Sequence, residues 1–247
     1  MTLIISIDGN IGSGKSIILK NLKDQFINKN NIIFLEDPVN EYIKIKDDTQ
    51  NILEIFYKDS VKYAFPFQMM TLITRFHIIN KIIKNNPNTI IILKRSLYTD
   101  KYIFAKMLFE TNKMNTFEYQ IYNKWFDEFT QNPIEYKYIY ILSDPIYCFE
   151  RIKERNRYSE HRITIDYLKL CNDYHDQMFN NISSNLIVNI DGNNLNSLEN
   201  KKTINKIKFF ILNQDIKQYI IQDTITYFLL QISIFCIFYF YIKLKKN

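Results

Sequence analysis

The stretch IDGNIGSGKS, Ile7 to Ser16, follows the apolar run Leu3-Ile4-Ile5 and opens onto Ile17-Ile18-Leu19. From Gly9 through Asn10, Ile11, Gly12, Ser13, Gly14 and Lys15 to Ser16 it satisfies Gly-x-x-x-x-Gly-Lys-Ser/Thr without a gap. A buried strand before such a run and an apolar helical pattern after it are the setting of a phosphate-binding loop. Glycines let the backbone curl so that consecutive N–H groups face phosphate oxygens, and the helix start adds its dipole. Lys15 is then expected on the outer phosphates and the Ser16 hydroxyl on Mg²⁺. Three of the chain's 4 glycines fall in this one stretch, which argues against a chance Gly-rich turn. The loop indicates a nucleoside triphosphate and leaves the reaction open, because many enzyme classes share it. No Asn-Lys-x-Asp guanine reader and no apolar run ending in Asp-Glu accompanies it.

Outward from the loop, short β-branched runs recur at 3–7, 32–35, 89–93, 138–142 and 186–190. Between them lie longer segments with helical spacing, such as Phe67, Leu72, Phe76 and Ile79. That alternation predicts an α/β fold: a five-stranded parallel sheet flanked by helices, with ligands at the carboxyl ends of the strands. The segments just after the runs are DGNIGSGKS, EDPV, KRS, SDP and DGN. The chemistry is expected there.

At 247 residues the chain has room for one sizeable domain, expected over 1–213, and a tail over 214–247. Three cysteines without a CxxC spacing point to a reduced compartment, and no secretory pattern precedes the first run. From Lys201 onward, eight Lys against two Asp carry the whole +6 net charge, so the first 200 residues are neutral. A neutral catalytic region offers no electrostatic footprint for a nucleic acid backbone. The 28 Asn suit an AT-rich genome and make Asn clusters weak signals. Residues 224–242 carry no charge and are followed by Lys243, Lys245 and Lys246. As a helix this segment would be roughly 28 Å long, about the thickness of a hydrocarbon core. It reads either as a C-terminal apolar helix anchoring a cytosolic protein to an intracellular membrane, or as an element packed on protein.

Over residues 2–192 the chain resembles the deoxyribonucleoside kinases. The resemblance rests on IDGNIGSGKS, DPV at 37–39, YKD at 57–59, FPFQ at 65–68, RSLYTDKYIF at 95–104 and ERIKERNRYSE at 150–160, all in order. It implies a P-loop kinase fold, ATP or another triphosphate as donor with Mg²⁺, a deoxynucleoside acceptor phosphorylated on its 5′-hydroxyl, and a homodimer joined through helices.

The resemblance also implies roles. Asp37 would be the base for the 5′-hydroxyl, although the family's residue is usually Glu and Asp is one methylene shorter; a turn former before Pro38 is the plainer reading. Strand alternation would point the adjacent Glu36 away. Arg95 would stand near the transferring phosphoryl group. Tyr57 and Glu160 match the groups on the sugar 3′-hydroxyl, Gln68 the amide that reads the base edge, Phe67 and Phe104 the rings that sandwich the base, and Tyr42 the place of a frequent Trp. Arg75 and Asp100 match residues of the deoxycytidine and deoxyguanosine kinases and favour an amino-bearing base over thymidine; the alternative is a salt bridge on a helix surface. Arg151, Arg155 and Arg157 match an arginine lid over the phosphates. His77, His161 and His175 show no ligand spacing and read as surface or lid residues.

One position departs from the family. Where Glu-Arg-Ser is usual after the third strand, this chain has Lys94-Arg95-Ser96. A cation cannot ligate Mg²⁺. Ser16, water and nucleotide oxygens then suffice, or Lys94 supplies the charge, or activity is lost and the chain is a nucleotide-binding accessory or membrane-docked scaffold.

Overall fold

The computed structural model describes residues 2–131, 134–194 and 201–212. The chain divides into two compact units, Met1–Lys201 and Lys202–Asn247. Of the second, residues 202–212 are helical, with Ile204, Ile207 and Ile211 buried at helical spacing. The apolar segment 224–242 and the boundary at 213 lie outside the described residues; among the described ones no helix is long and apolar enough to cross a membrane.

All five expected strands form: β1 Leu3–Gly9, β2 Ile32–Leu35, β3 Ile90–Lys94, β4 Glu135–Leu142 and β5 Ile187–Asp191. They pair in parallel in the order β2-β3-β1-β4-β5. β1 is buried at every residue, as its unbroken apolar run requires of a strand covered on both faces. The chain builds β2 and β3 on one side of β1 and then crosses to add β4 and β5. That reversal opens a crevice at the carboxyl end of β1, where ligands of open α/β sheets sit.

The helices are α1 Lys15–Gln25, α2 Val39–Tyr42, α3 Ile52–Lys58, α4 Ser60–Asn85, α5 Leu97–Thr99, α6 Lys106–Glu110, α7 Thr116–Phe129, α8 Pro145–Arg155 and α9 Ile165–Phe179. A π-helical turn, Asp100–Ala105, joins α5 to α6. Their starts are written locally. Asn51 with Glu54, and Asn115 with Glu118, close capping boxes on α3 and α7, and Asp144 caps α8 with Pro145 in its first turn. Phe67, Leu72 and Ile79 of α4 join Ile4, Ile91 and Leu93 of the sheet and Tyr122 and Phe126 of α7 in one apolar core. Phe76, on the same stripe, is partly buried against it.

Candidate active site

At the carboxyl end of β1 the turn of the loop depends on its glycines. Gly12 and Gly14 have φ of 85° and 101°, and a Cβ on Gly12 would collide with the Cys148 carbonyl. Only glycine fits there. Asn10 fastens the loop from behind, donating from Nδ2 to the Leu168 carbonyl at 2.7 Å while its Oδ1 accepts from the Ile11 N–H at 2.8 Å. Ser143 Oγ donates to the Ser13 carbonyl at 3.2 Å. The Lys15 ammonium donates to the Gly9 and Asn10 carbonyls at 2.8 and 2.6 Å. Burial, with Arg95 nearby, pulls its pKa well below the usual lysine value. Ile11, Gly12, Lys15 and Ser16 line a cavity of about 670 Å³, and the rest of the loop supports them.

Lys94 ends β3 in register with Ile7 of β1, which fixes its backbone beside the loop. Its ammonium reaches Ser16 Oγ at 3.1 Å and Glu36 Oε2 at 2.5 Å. Glu36 does not turn away as alternation predicted. β2 stops at Leu35, and past that residue the period of two no longer applies. Glu36 and Asp37 both line the cavity. The donor set here does not fit a metal held by Ser16 and an acid at the end of β3. The residue is a cation, and it already engages the Ser16 hydroxyl. Among the described residues no group of three or more His, Cys, Asp or Glu could hold a metal.

The same cavity is lined by an ion network centred on Arg75. Arg75, 3% exposed on α4, donates from Nε to Asp100 Oδ2 at 2.7 Å, so the pair is no helix-surface salt bridge. One terminal nitrogen meets the Lys94 and Arg95 carbonyls at 3.0 and 3.3 Å, and the other meets Asp37 Oδ1 at 3.4 Å and Tyr42 Oη at 3.5 Å. All five guanidinium N–H groups thus have protein partners. Arg95 adds a contact to Asp37 Oδ2 at 3.4 Å and lies 4.8 Å from the centre of the Phe104 ring. Its φ of 62° is left-handed, a strained conformation for a bulky side chain. The Arg95 N–H donates to Ile7 and its carbonyl accepts from Arg75, which holds that conformation. Burial pushes the Asp37 carboxyl up, but Arg75, Arg95, Lys94 and Lys15 outweigh it and hold the pKa below the usual value. Asp37 is therefore ionised at neutral pH. Burial also raises Asp100, with Arg75 opposing.

Aromatic residues and the segment expected as a lid complete the lining. Phe67 and Phe104 line the cavity with Gln68, whose Oε1 is buried without a hydrogen-bond partner among the described residues. Phe56 stacks on Phe67 at 4.5 Å, and Tyr167 packs edge-on to Tyr57 at 6.2 Å. Both Phe56 and Tyr167 line the cavity; lacking a motif, they could not be told from core aromatics in the sequence. Glu160 also lines it, held by Arg155 at 2.5 Å and by Arg157 at 3.6 Å. Two of the arginines expected in a lid therefore sit on the residue expected at the sugar. Arg151 stands apart from the cavity lining and donates to the Gly192 and Asn193 carbonyls. His175 is a core residue rather than a surface or lid one, 0% exposed, with Nδ1 donating to the Cys171 carbonyl at 2.6 Å.

Comparison with known proteins adds an independent finding. The family model for deoxynucleoside kinase matches residues 5–212. The chain is 36% identical over 177 residues to a probable deoxycytidine kinase of fowlpox virus, covering 70% of each. It is 29% identical over 191 residues to the mitochondrial deoxyguanosine kinase of Xenopus laevis, covering 70% of this chain and 71% of that one. It is likewise 29% identical over 190 residues to human deoxycytidine kinase, covering 70% of this chain and 73% of that one. A phosphate loop, a carboxylate lining the same cavity and a family match over nearly the whole described chain agree: the protein belongs to the deoxynucleoside kinase family.

Proposed function

We propose that the enzyme transfers the γ-phosphate of a nucleoside triphosphate to the 5′-hydroxyl of deoxycytidine or a purine deoxynucleoside, in salvage of DNA precursors. Family membership supports the phosphorylation of deoxynucleosides from a triphosphate donor. The observation that carries the choice of base is the buried Arg75–Asp100 pair in the cavity wall. Because every Arg75 donor already has a protein partner, Arg75 acts as the holder and Asp100 as the presented acceptor. An exocyclic amino group donates to a carboxylate, whereas thymine has no such group and brings a methyl instead. The free Gln68 Oε1 is a second acceptor for the base edge.

In this reading the donor lies on the loop N–H groups and Lys15, and the sugar lies between Tyr57 and Glu160, with the base between Phe67 and Phe104. Asp37, kept ionised by two guanidinium groups, accepts the 5′-hydroxyl proton. Arg95, beside Asp37, meets the charge that builds on the transferring phosphoryl group. Arg155 and Arg157 would exchange Glu160 for phosphate oxygens as the lid settles.

The test supplies the full chain with ATP and each of the four deoxynucleosides and follows monophosphate formation. Product from deoxycytidine or a purine with little from thymidine is expected. Lys15→Ala and Asp37→Ala should each lower turnover by about 10²–10⁴-fold. Full turnover in both variants overturns the site, and thymidine as the best acceptor overturns the base assignment.

A further inference from the structure

Lys94 is the residue that neither the loop motif nor the acceptor network absorbs. Three observations define it. Register with Ile7 places it beside the phosphate loop. Its ammonium lies 3.1 Å from Ser16 Oγ, in the first turn of α1, and its side chain is only 12% exposed. Among the described residues its ion-pair partner is Glu36, whose side chain is 67% exposed in a segment outside any strand. A buried partner such as Asp100 fixes a cation in place, but an ion pair with one end in solvent is weak and exchangeable. The dipole of α1 and the loop N–H groups converge on the spot where Lys94 waits. A phosphate group brings more charge there than one carboxylate, and its oxygens accept the same N–H donors.

We propose that Lys94 is a phosphate-binding residue, parked between Ser16 and Glu36, that transfers to the outer phosphate oxygens of the donor. It supplies from the chain the positive charge that an acid at this position would supply by holding a metal. Glu36 is its counter-ion and is released when the donor arrives. The consequence is a donor affinity that survives removal of divalent cations. This inference rests on the cavity being a triphosphate site, and its test is chosen to separate the two.

The dissociation constant for ATP is measured calorimetrically on the full chain, in excess Mg²⁺ and in excess EDTA. For the native chain the two values should agree within about threefold. Lys94→Met should weaken binding in EDTA by about tenfold and in Mg²⁺ by clearly less. Lys94→Glu should bind ATP only when Mg²⁺ is present. Glu36→Gln, an exposed change that leaves the fold untouched, should tighten binding in EDTA by about threefold by freeing the ammonium. Equal weakening of Lys94→Met in both conditions would mean a merely structural lysine and overturns the inference. So does a native affinity that collapses in EDTA, or an unchanged Glu36→Gln. A native chain that binds no ATP under either condition sinks the triphosphate reading itself, and this inference with it.

Discussion

Neutral groups support the cavity at its loop end. The Cys148 carbonyl lies under Gly12, the Asn10 amide reaches the Leu168 carbonyl, and His175 lies beneath with its pKa lowered by burial to about 3. At the acceptor end the supports are charged, with Arg75 joining Asp100, Asp37, Tyr42 and two backbone carbonyls. Beside the Lys15 and Lys94 ammonium groups, the loop has its own backbone N–H groups, which are present whatever the pH. A carboxylate to be held ionised within the protein needs charged partners, because burial by itself pushes the Asp37 pKa up. One cavity therefore has a shape-built half and a charge-built half, and they should fail differently.

The largest expected effect breaks the charged half. Asp100→Ala leaves Arg75 buried with one partner fewer, and truncating a buried ion pair costs about 3–5 kcal/mol. Denaturant unfolding should show that loss, whereas a loss below about 1 kcal/mol would mean that Asp37 and the carbonyls satisfy Arg75 unaided.

Gly12→Ala tests the shape-built half. The added Cβ meets the Cys148 carbonyl at a φ of 85°, so about 2–3 kcal/mol should be lost. ATP binding should weaken with it, because the loop can relieve the clash only by moving its N–H groups.

Acid should sharpen the contrast, since the two halves titrate in different windows. His175 stays neutral when folded, with a pKa of about 3 against an ordinary 6.5. Below pH 6.5 the unfolded chain binds a proton that the native one declines. Stability is thus full above about 6.5 and falls with pH by up to about 1.4 kcal/mol per unit. By pH 5 about 2 kcal/mol should be gone, and His175→Gln should flatten that slope. Asp37 has its pKa lowered from 3.8, so its contribution holds above that value and is lost only as pH falls further. An equally steep slope in His175→Gln would place the acid-sensitive group elsewhere.

What could be read along the chain is what the backbone does locally. The five apolar runs became the five strands, and the eight residues from Gly9 to Ser16 became a loop, because their neighbours in sequence are also their neighbours in space. Capping residues such as Asn51 and Asn115 start their helices for the same reason. The acceptor end was legible only as separate fragments. Asp37, Arg75 and the pair Arg95 and Asp100 come from three segments, and only folding shows that one guanidinium joins two carboxylates to the backbone of β3. The direction of Glu36 was misread because alternation was carried past the end of a four-residue strand. His175 and Phe56 carry no local mark of where they lie. The order of residues is enough for the sheet, the loop and the family. Which charges face one another is set by the fold, because ion pairing and burial depend on distances between segments that chain order does not set.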